Sequence, residues 1–179
     1  MKILVFTEKP FAPAAVKAIA DVINASGNEM MLVEKGTRAD LLEAVKTAEG
    51  LIVRSDIIDA EVMNAAPELK VIVRAGAGYD NIDLQAATNH GICVMNTPGQ
   101  NSNAVAELVF GMMVMMCRNQ YNGTSGSELK GKSLGIYAFG QVGRNVARIA
   151  KGFGMKVQAL DVFVSDEAME AEGVTPVHD

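Results

Sequence analysis

The chain has 179 residues, 49% of them apolar and 21% charged, with a formal net charge of -5. That composition suits a globular protein able to bury a core, and a net negative chain offers no electrostatic footprint for nucleic acid. The apolar run Leu108 to Cys117 is too short to span a bilayer and Met1 to Phe6 too short for a signal peptide, so the sequence reads as cytoplasmic with no membrane partner.

In chain order, apolar runs predict strands at Lys2 to Phe6, Glu29 to Val33, Gly50 to Val53, Val71 to Arg74 and Ile92 to Met95. Amphipathic helices fall between them: Ala14 to Ala25 places Val16, Ile19, Ala20 and Ile23 on one face, and Leu41, Leu42, Val45 and Ala48 make a second. Strands and helices alternating over short connections predict a parallel α/β sheet, a flavodoxin-like domain over residues 1–100. Cys93 is expected in a buried strand and Cys117 in a helix, two inert thiols without metal spacing. His90 stands where a helix ends and is read as interacting with its dipole.

In such sheets function collects beyond the carboxyl ends of the strands. Val53 is followed by Arg54 and Ser55, Val73 by Arg74-Ala-Gly-Ala-Gly78, and Met95 by Asn96 to Asn101. Arg54, Ser55 and Arg74, beside a loop whose Gly76 and Gly78 bare backbone N–H groups, form a candidate pocket for a carboxylate or phosphate. The plainer alternatives are a surface Arg54, an Arg74 paired with Asp80 or Asp83, and glycines that only turn the chain.

The stretch Asn103 to Arg118 is apolar on nearly every side after Glu107 and predicts a helix buried all round. Met112, Met113, Met115 and Met116 on it are read as packing between domains or subunits, and no metal site is expected.

Ser133 to Asp161 reads as strand, glycine turn, helix and second strand. Leu134, Ile136 and Tyr137 suit a buried parallel strand, and Ala138, Gly140 and Gly143 then hold the positions of a G-x-G-x-x-G spacing. Val142, Val146, Ile149 and Ala150 follow with helical period, so the amides at that helix start would face a pyrophosphate. Asp161, after a strand Met155 to Leu160, would accept a ribose 2′-hydroxyl and favour NAD over NADP. Alanine at position 138 fits the turn if its φ is negative; the plainer alternative is that Gly140 and Gly143 only permit tight packing. Asp166 to Glu172 reads as a solvated helix face, Val174 to Val177 as the start of a third strand, and His178 as a frayed end with little to orient it.

The segments LIVRSDIIDAEVMNAAPELKVIVRAGAGYDNIDLQAATNHGICVMNTPGQNSNAVAEL and ELKGKSLGIYAFGQVGRNVARIAKGFGMKV resemble the NAD-dependent D-2-hydroxyacid dehydrogenases, from about Leu51 onward. The resemblance implies a substrate-binding domain at 1–100, an interdomain helix at 101–119 and an incomplete NAD-binding Rossmann domain at 120–179, with the active site in the cleft between domains. It implies NAD-linked oxidation of a small anionic 2-hydroxy acid, 3-phosphoglycerate to 3-phosphohydroxypyruvate in serine biosynthesis, by a homo-oligomer at full length. By position, Arg54, Ser55, Arg74, Gly76 and Gly78 would contact substrate and Ala77 would lie close to the cofactor. Ala138, Gly140, Gln141, Val142 and Gly143 would line the pyrophosphate, Asp161 would hold the ribose, and Asn101 would border the cleft. The departures are Ala138 for the usual first glycine and a short connector, Asn119 to Glu128. The family's catalytic histidine, glutamate and arginine fall in the later part of its Rossmann domain. No catalytic residue is therefore assigned, and the chain is expected to be an amino-terminal part, inactive alone. Other 2-hydroxy acids, or a non-catalytic NAD-binding regulator, are the alternatives.

Overall fold

The computed structural model describes residues 1–178; the last residue of the 120–179 span lies outside them. The chain divides into two units, Met1–Pro98 and a second beginning at Gly99.

In the first unit β1 (Lys2–Thr7), β2 (Glu29–Glu34), β3 (Gly50–Val53), β4 (Val71–Arg74) and β5 (Cys93–Met95) form one sheet in the order β2-β1-β3-β4-β5. Every pairing is parallel, as the alternation with helices demands. β1 is central because Leu4, Val5 and Phe6 are all buried, on both faces.

Each connecting helix starts on a local device. Pro13 opens α1 (Pro13–Ala25), and a reciprocal Thr37–Asp40 capping box opens α2 (Arg38–Ala44), which tightens into a 3-10 turn at Val45–Thr47. Asp59 caps α3 (Ala60–Asn64) and Asp83 caps α4 (Leu84–Asn89). Leu4, Phe6, Leu51, Val53 and Ile72 from the strands pack with Leu41, Val45, Val62 and Met63 from the helices.

Cys93 is exposed, against expectation. It lies on a three-residue strand at the sheet edge, where only one face is covered.

The second unit holds α5 (Ser102–Cys117), a 3-10 turn (Asn119–Tyr121), β6 (Ser133–Tyr137), α6 (Gln141–Gly152), β7 (Lys156–Leu160), α7 (Asp166–Ala171) and β8 (Thr175–Pro176). Its sheet runs β6-β7-β8, again parallel. Ala106 and Phe110 of α5 meet Val146, Ala147 and Ala150 of α6, with Val157 and Ala159 of β7 and Met169 of α7 completing the core.

Two burial expectations fail here for one reason: three strands and their helices have too little surface to cover both faces. α5 buries only Ser102, Ala106 and Phe110, while Leu108, Met112 and Met116 are 63%, 59% and 69% exposed. β6 is an outer strand that half-buries Leu134 and Ile136 and leaves Tyr137 87% exposed. Among the described residues no helix is long and apolar enough to cross a membrane.

Candidate functional site

The first candidate lies beyond the carboxyl ends of β3 and β4. Arg54 follows β3 directly and spends its Nη1 on two main-chain oxygens, Lys9 O at 3.1 Å and Pro10 O at 3.0 Å. Its guanidinium lies over the Phe11 ring, 5.4 Å from the centroid. Ser55 lines a cavity of ≈ 800 Å³ together with Glu8, Lys35, Arg38 and Asp59. Arg38 there is already paired, with Asp59 at 2.5 Å and Glu61 at 2.7 Å.

Arg74 ends β4 and pairs with neither Asp80 nor Asp83; Asp83 instead accepts the Ala86 N–H at the start of α4. The Arg74 Nε is buried with no hydrogen-bond partner. Its guanidinium folds over Gly76 so closely that a Cβ there would lie 1.4 Å from Nη1. Gly76 is thus a matter of space: a side chain would displace the arginine.

The nest after β4 differs from the expected one. The Gly76 N–H is not bare, since it donates to Arg74 O at 2.8 Å. The N–H groups of Ala77 and Gly78 make no hydrogen bond among the described residues, so they are the free pair. The loop is held from β5: Thr97 N–H donates to Gly76 O at 2.9 Å and Asn96 Nδ2 to Ala77 O at 2.7 Å. Asn96 opens a strand-end segment that the sequence singles out, but its role as a support for the loop is not readable there, because an asparagine after a strand carries no distinguishing spacing.

The second candidate lies between β6 and α6. Ala138 has φ 79°, contrary to the negative φ its side chain prefers. Its N–H donates to Leu160 O at 2.8 Å, and the pairing of β6 with β7 holds it in that conformation. Replacing Ala138 by glycine is therefore expected to stabilise the second unit by about 1 kcal/mol, seen as a raised Tm; an unchanged or lowered Tm would contradict this.

The two glycines that follow have different work. A Cβ on Gly143 would lie 2.4 Å from Ala138 O, so this glycine allows α6 to approach β6. A Cβ on Gly140, the N-cap of α6, would meet nothing within 4 Å. Its bareness serves no packing inside the chain and leaves room for a group from outside. Gln141 and Val142 stand first and second in α6, and no side chain caps that helix end. Phe139, fully buried beneath the Arg144 guanidinium at 5.0 Å, anchors the turn; the spacing alone marks that position as variable.

Asp161 follows β7 and binds backbone with both oxygens. Oδ2 accepts the Phe139 N–H at 2.6 Å, and Oδ1 accepts those of Phe163 at 2.7 Å and Val164 at 3.2 Å. The N–H groups of Phe163 and Phe139, then Val164, and the nearby Arg144 charge hold its carboxyl below the usual carboxylate value of 3.8. A lowered native pKa stabilises the fold above the unfolded value, and the benefit fades as pH falls through the native one. The stability gap between the wild type and Asp161→Asn should be widest above about pH 4 and close in stronger acid, as followed by thermal melts across pH. A gap independent of pH would refute the assignment.

Neither histidine stands free. His90 caps α4, with Nδ1 2.8 Å from Ala86 O and Nε2 2.9 Å from Asn64 Oδ1. His178 is better oriented than expected, its Nε2 lying 3.1 Å from Asp166 Oδ2. Asn101 is the exposed N-cap of α5 and makes no side-chain cap bond. Among the described residues no group of three His, Cys, Asp or Glu side chains could hold a metal.

A parallel α/β unit followed by a strand–turn–helix–strand that ends in an acid defines a protein of the Rossmann-type nucleotide-binding class. The family model for the D-isomer specific 2-hydroxyacid dehydrogenase catalytic domain matches residues 3–175, and the chain belongs to that family. Among its relatives, D-3-phosphoglycerate dehydrogenase of Rattus norvegicus is 41% identical over 161 residues, covering 81% of this chain and 30% of the rat protein. The enzyme of that name from Methanocaldococcus jannaschii is 38% identical, covering 100% of this chain and 36% of its own length. The crystal structure of NAD+-bound 3-phosphoglycerate dehydrogenase from Entamoeba histolytica superposes with a TM-score of 0.90 at 48% identity, covering 100% of this chain and 57% of that one. The apo D-lactate dehydrogenase of Escherichia coli gives 0.78 at 27% identity, covering 99% of this chain and 60% of that one. The chain thus spans about a third of the length of these curated relatives.

Proposed function

We propose that this chain binds NAD and 3-phosphoglycerate and serves the NAD-linked oxidation of that 2-hydroxy acid to 3-phosphohydroxypyruvate. The observation that carries the cofactor reading is the open space at Gly140 beside the uncapped start of α6. A pyrophosphate placed there would take the N–H groups of Gln141 and Val142. Three backbone bonds leave Asp161 about one of its roughly four acceptor sites, which can take a ribose hydroxyl, and its charge would repel a 2′-phosphate. Bound NAD supplies the hydride acceptor.

On the first unit the residues bind and orient. Arg54 keeps Nε and Nη2 for an anion, Ser55 adds a hydroxyl, and the Ala77 and Gly78 N–H groups suit a carboxylate. Arg74, with its unpartnered Nε, brings a second guanidinium to the same end of the sheet. Two arginines favour a substrate with a phosphate as well as a carboxylate, although the likeness to a D-lactate dehydrogenase keeps a smaller 2-hydroxy acid as the second reading. His90 is engaged at both ring nitrogens and is not the proton acceptor for the substrate hydroxyl. Two free cysteines fit a reducing, cytoplasmic setting, and the exposed methionines of α5 fit self-association.

Titration calorimetry of the chain tests the reading. NAD+ should bind more tightly than NADP+, and Arg54→Ala should weaken 3-phosphoglycerate about tenfold while leaving NAD+ affinity in place. Absence of binding by both NAD+ and 3-phosphoglycerate would falsify it.

A further inference from the structure

We propose that the loop between β1 and α1 forms a second wall of the anion site, and that Lys9 on this loop selects phosphorylated over unphosphorylated substrates. The proposal rests on the reading of Arg54 as a substrate contact.

It starts from Thr7. This last residue of β1 is 0% exposed, and Thr7 and Ser102 are the two buried polar residues among those described. A hydroxyl removed from water needs a partner, and the Thr7 Oγ1 has one, donating to Lys9 O at 2.6 Å. A buried group at the carboxyl end of a central strand therefore fixes the backbone of an exposed lysine two residues on.

The same oxygen is held from the neighbouring strand. β1 pairs with β3, and Arg54, immediately after β3, donates Nη1 to Lys9 O and Pro10 O and covers Phe11 with its plane. Three consecutive loop residues thus rest on one guanidinium. Nη1 carries two hydrogens, and each has a carbonyl. The three remaining N–H groups, on Nε and Nη2, form the side-on edge that matches two oxygens of a phosphate.

Lys9 itself is exposed and makes no ion pair among the described residues, whereas Lys17, Lys46 and Lys70 each pair with a carboxylate. The nearby carboxylate of Asp56 is committed to backbone, accepting the Glu8 N–H at 2.8 Å and the Arg54 N–H at 3.3 Å. The loop therefore carries an ammonium without an ion-pair partner among the described residues, on a flexible stem whose backbone rests on the Arg54 guanidinium. Like charges so placed are relieved by an anion, and a phosphate dianion can use both where a single carboxylate is satisfied by the arginine. Lys9 thus contributes to discrimination between 3-phosphoglycerate and D-glycerate, with Thr7 as the positioning residue behind it.

Calorimetry on the chain with 3-phosphoglycerate, D-glycerate and inorganic phosphate tests this directly. Lys9→Gln should weaken 3-phosphoglycerate and inorganic phosphate about fivefold and leave D-glycerate unchanged, with an unaltered Tm because the residue is exposed. Thr7→Val should produce part of the same loss and Thr7→Ser should restore binding, which a purely structural role for Lys9 would not explain. If Lys9→Gln leaves 3-phosphoglycerate unchanged, or weakens both acids alike, while Arg54→Ala still weakens it, the proposal about Lys9 is wrong and the substrate reading survives. If Arg54→Ala has no effect either, or the wild type binds no 3-phosphoglycerate, the substrate reading itself is wrong and the proposal goes with it.

Discussion

Gly143→Ala is expected to lower the stability of the second unit by about 3 kcal/mol and to abolish NAD+ binding. The new Cβ would sit 2.4 Å from Ala138 O and 3.2 Å from the Ile136 Cγ2, and the nearer obstacle is backbone held by a strand pairing. No rotamer change relieves it, so α6 has to move off β6. That movement opens the core around Val146, Ala147 and Ala150 and carries the N–H groups of Gln141 and Val142 out of line. Gly152→Ala is the matched control. A Cβ there meets nothing within 4 Å, and alanine in a helix gains about 1 kcal/mol over glycine. Thermal melts and NAD+ titrations of the two variants separate steric conflict from any general effect of a methyl group on α6; equal melting points would refute the account.

Gly76→Ala is expected to behave in the opposite way, with the fold kept and the substrate lost. Here the clash is with the far end of a side chain, Arg74 Nη1 at 1.4 Å and Cζ at 2.5 Å, and that side chain can swing away. Stability should hold or rise, because the arginine leaves a place where its Nε is buried without a partner, an arrangement that costs about 1–3 kcal/mol. Binding of 3-phosphoglycerate should fall more than tenfold, since the guanidinium would no longer lie folded over the loop at Gly76. Retained affinity in a folded variant would show that Arg74 does not touch the substrate.

These contrasts mark what a sequence can carry. The strands of the first unit were legible almost to the residue, because a parallel sheet with both faces covered needs unbroken apolar runs and each run ends at a turn signal. The glycine turn and Asp161 were legible as spacing. The reason for each glycine was not, since Gly76, Gly140 and Gly143 look alike in one dimension and differ only in what a Cβ would meet. α3 escaped notice because five residues hold too little periodicity. The exposure of Leu108, Met112 and Tyr137 was illegible for another reason: composition reports that a residue would gain by burial, and only the count of neighbouring layers reports whether cover exists. Arg54 was read as an anion contact from its position, while its hold on Lys9 and Pro10 depends on a loop that periodicity does not describe.

The carboxylate of Asp161 also orders events in time. The turn after β6 is closed by an acceptor 22 residues further along, which arrives only when β7 has come into register beside β6. Until then the Phe139 N–H has no partner and Ala138 has no reason to hold a positive φ. The start of α6 therefore cannot settle on local contacts alone: its turn takes shape with the β6–β7 ladder and loosens when that ladder opens.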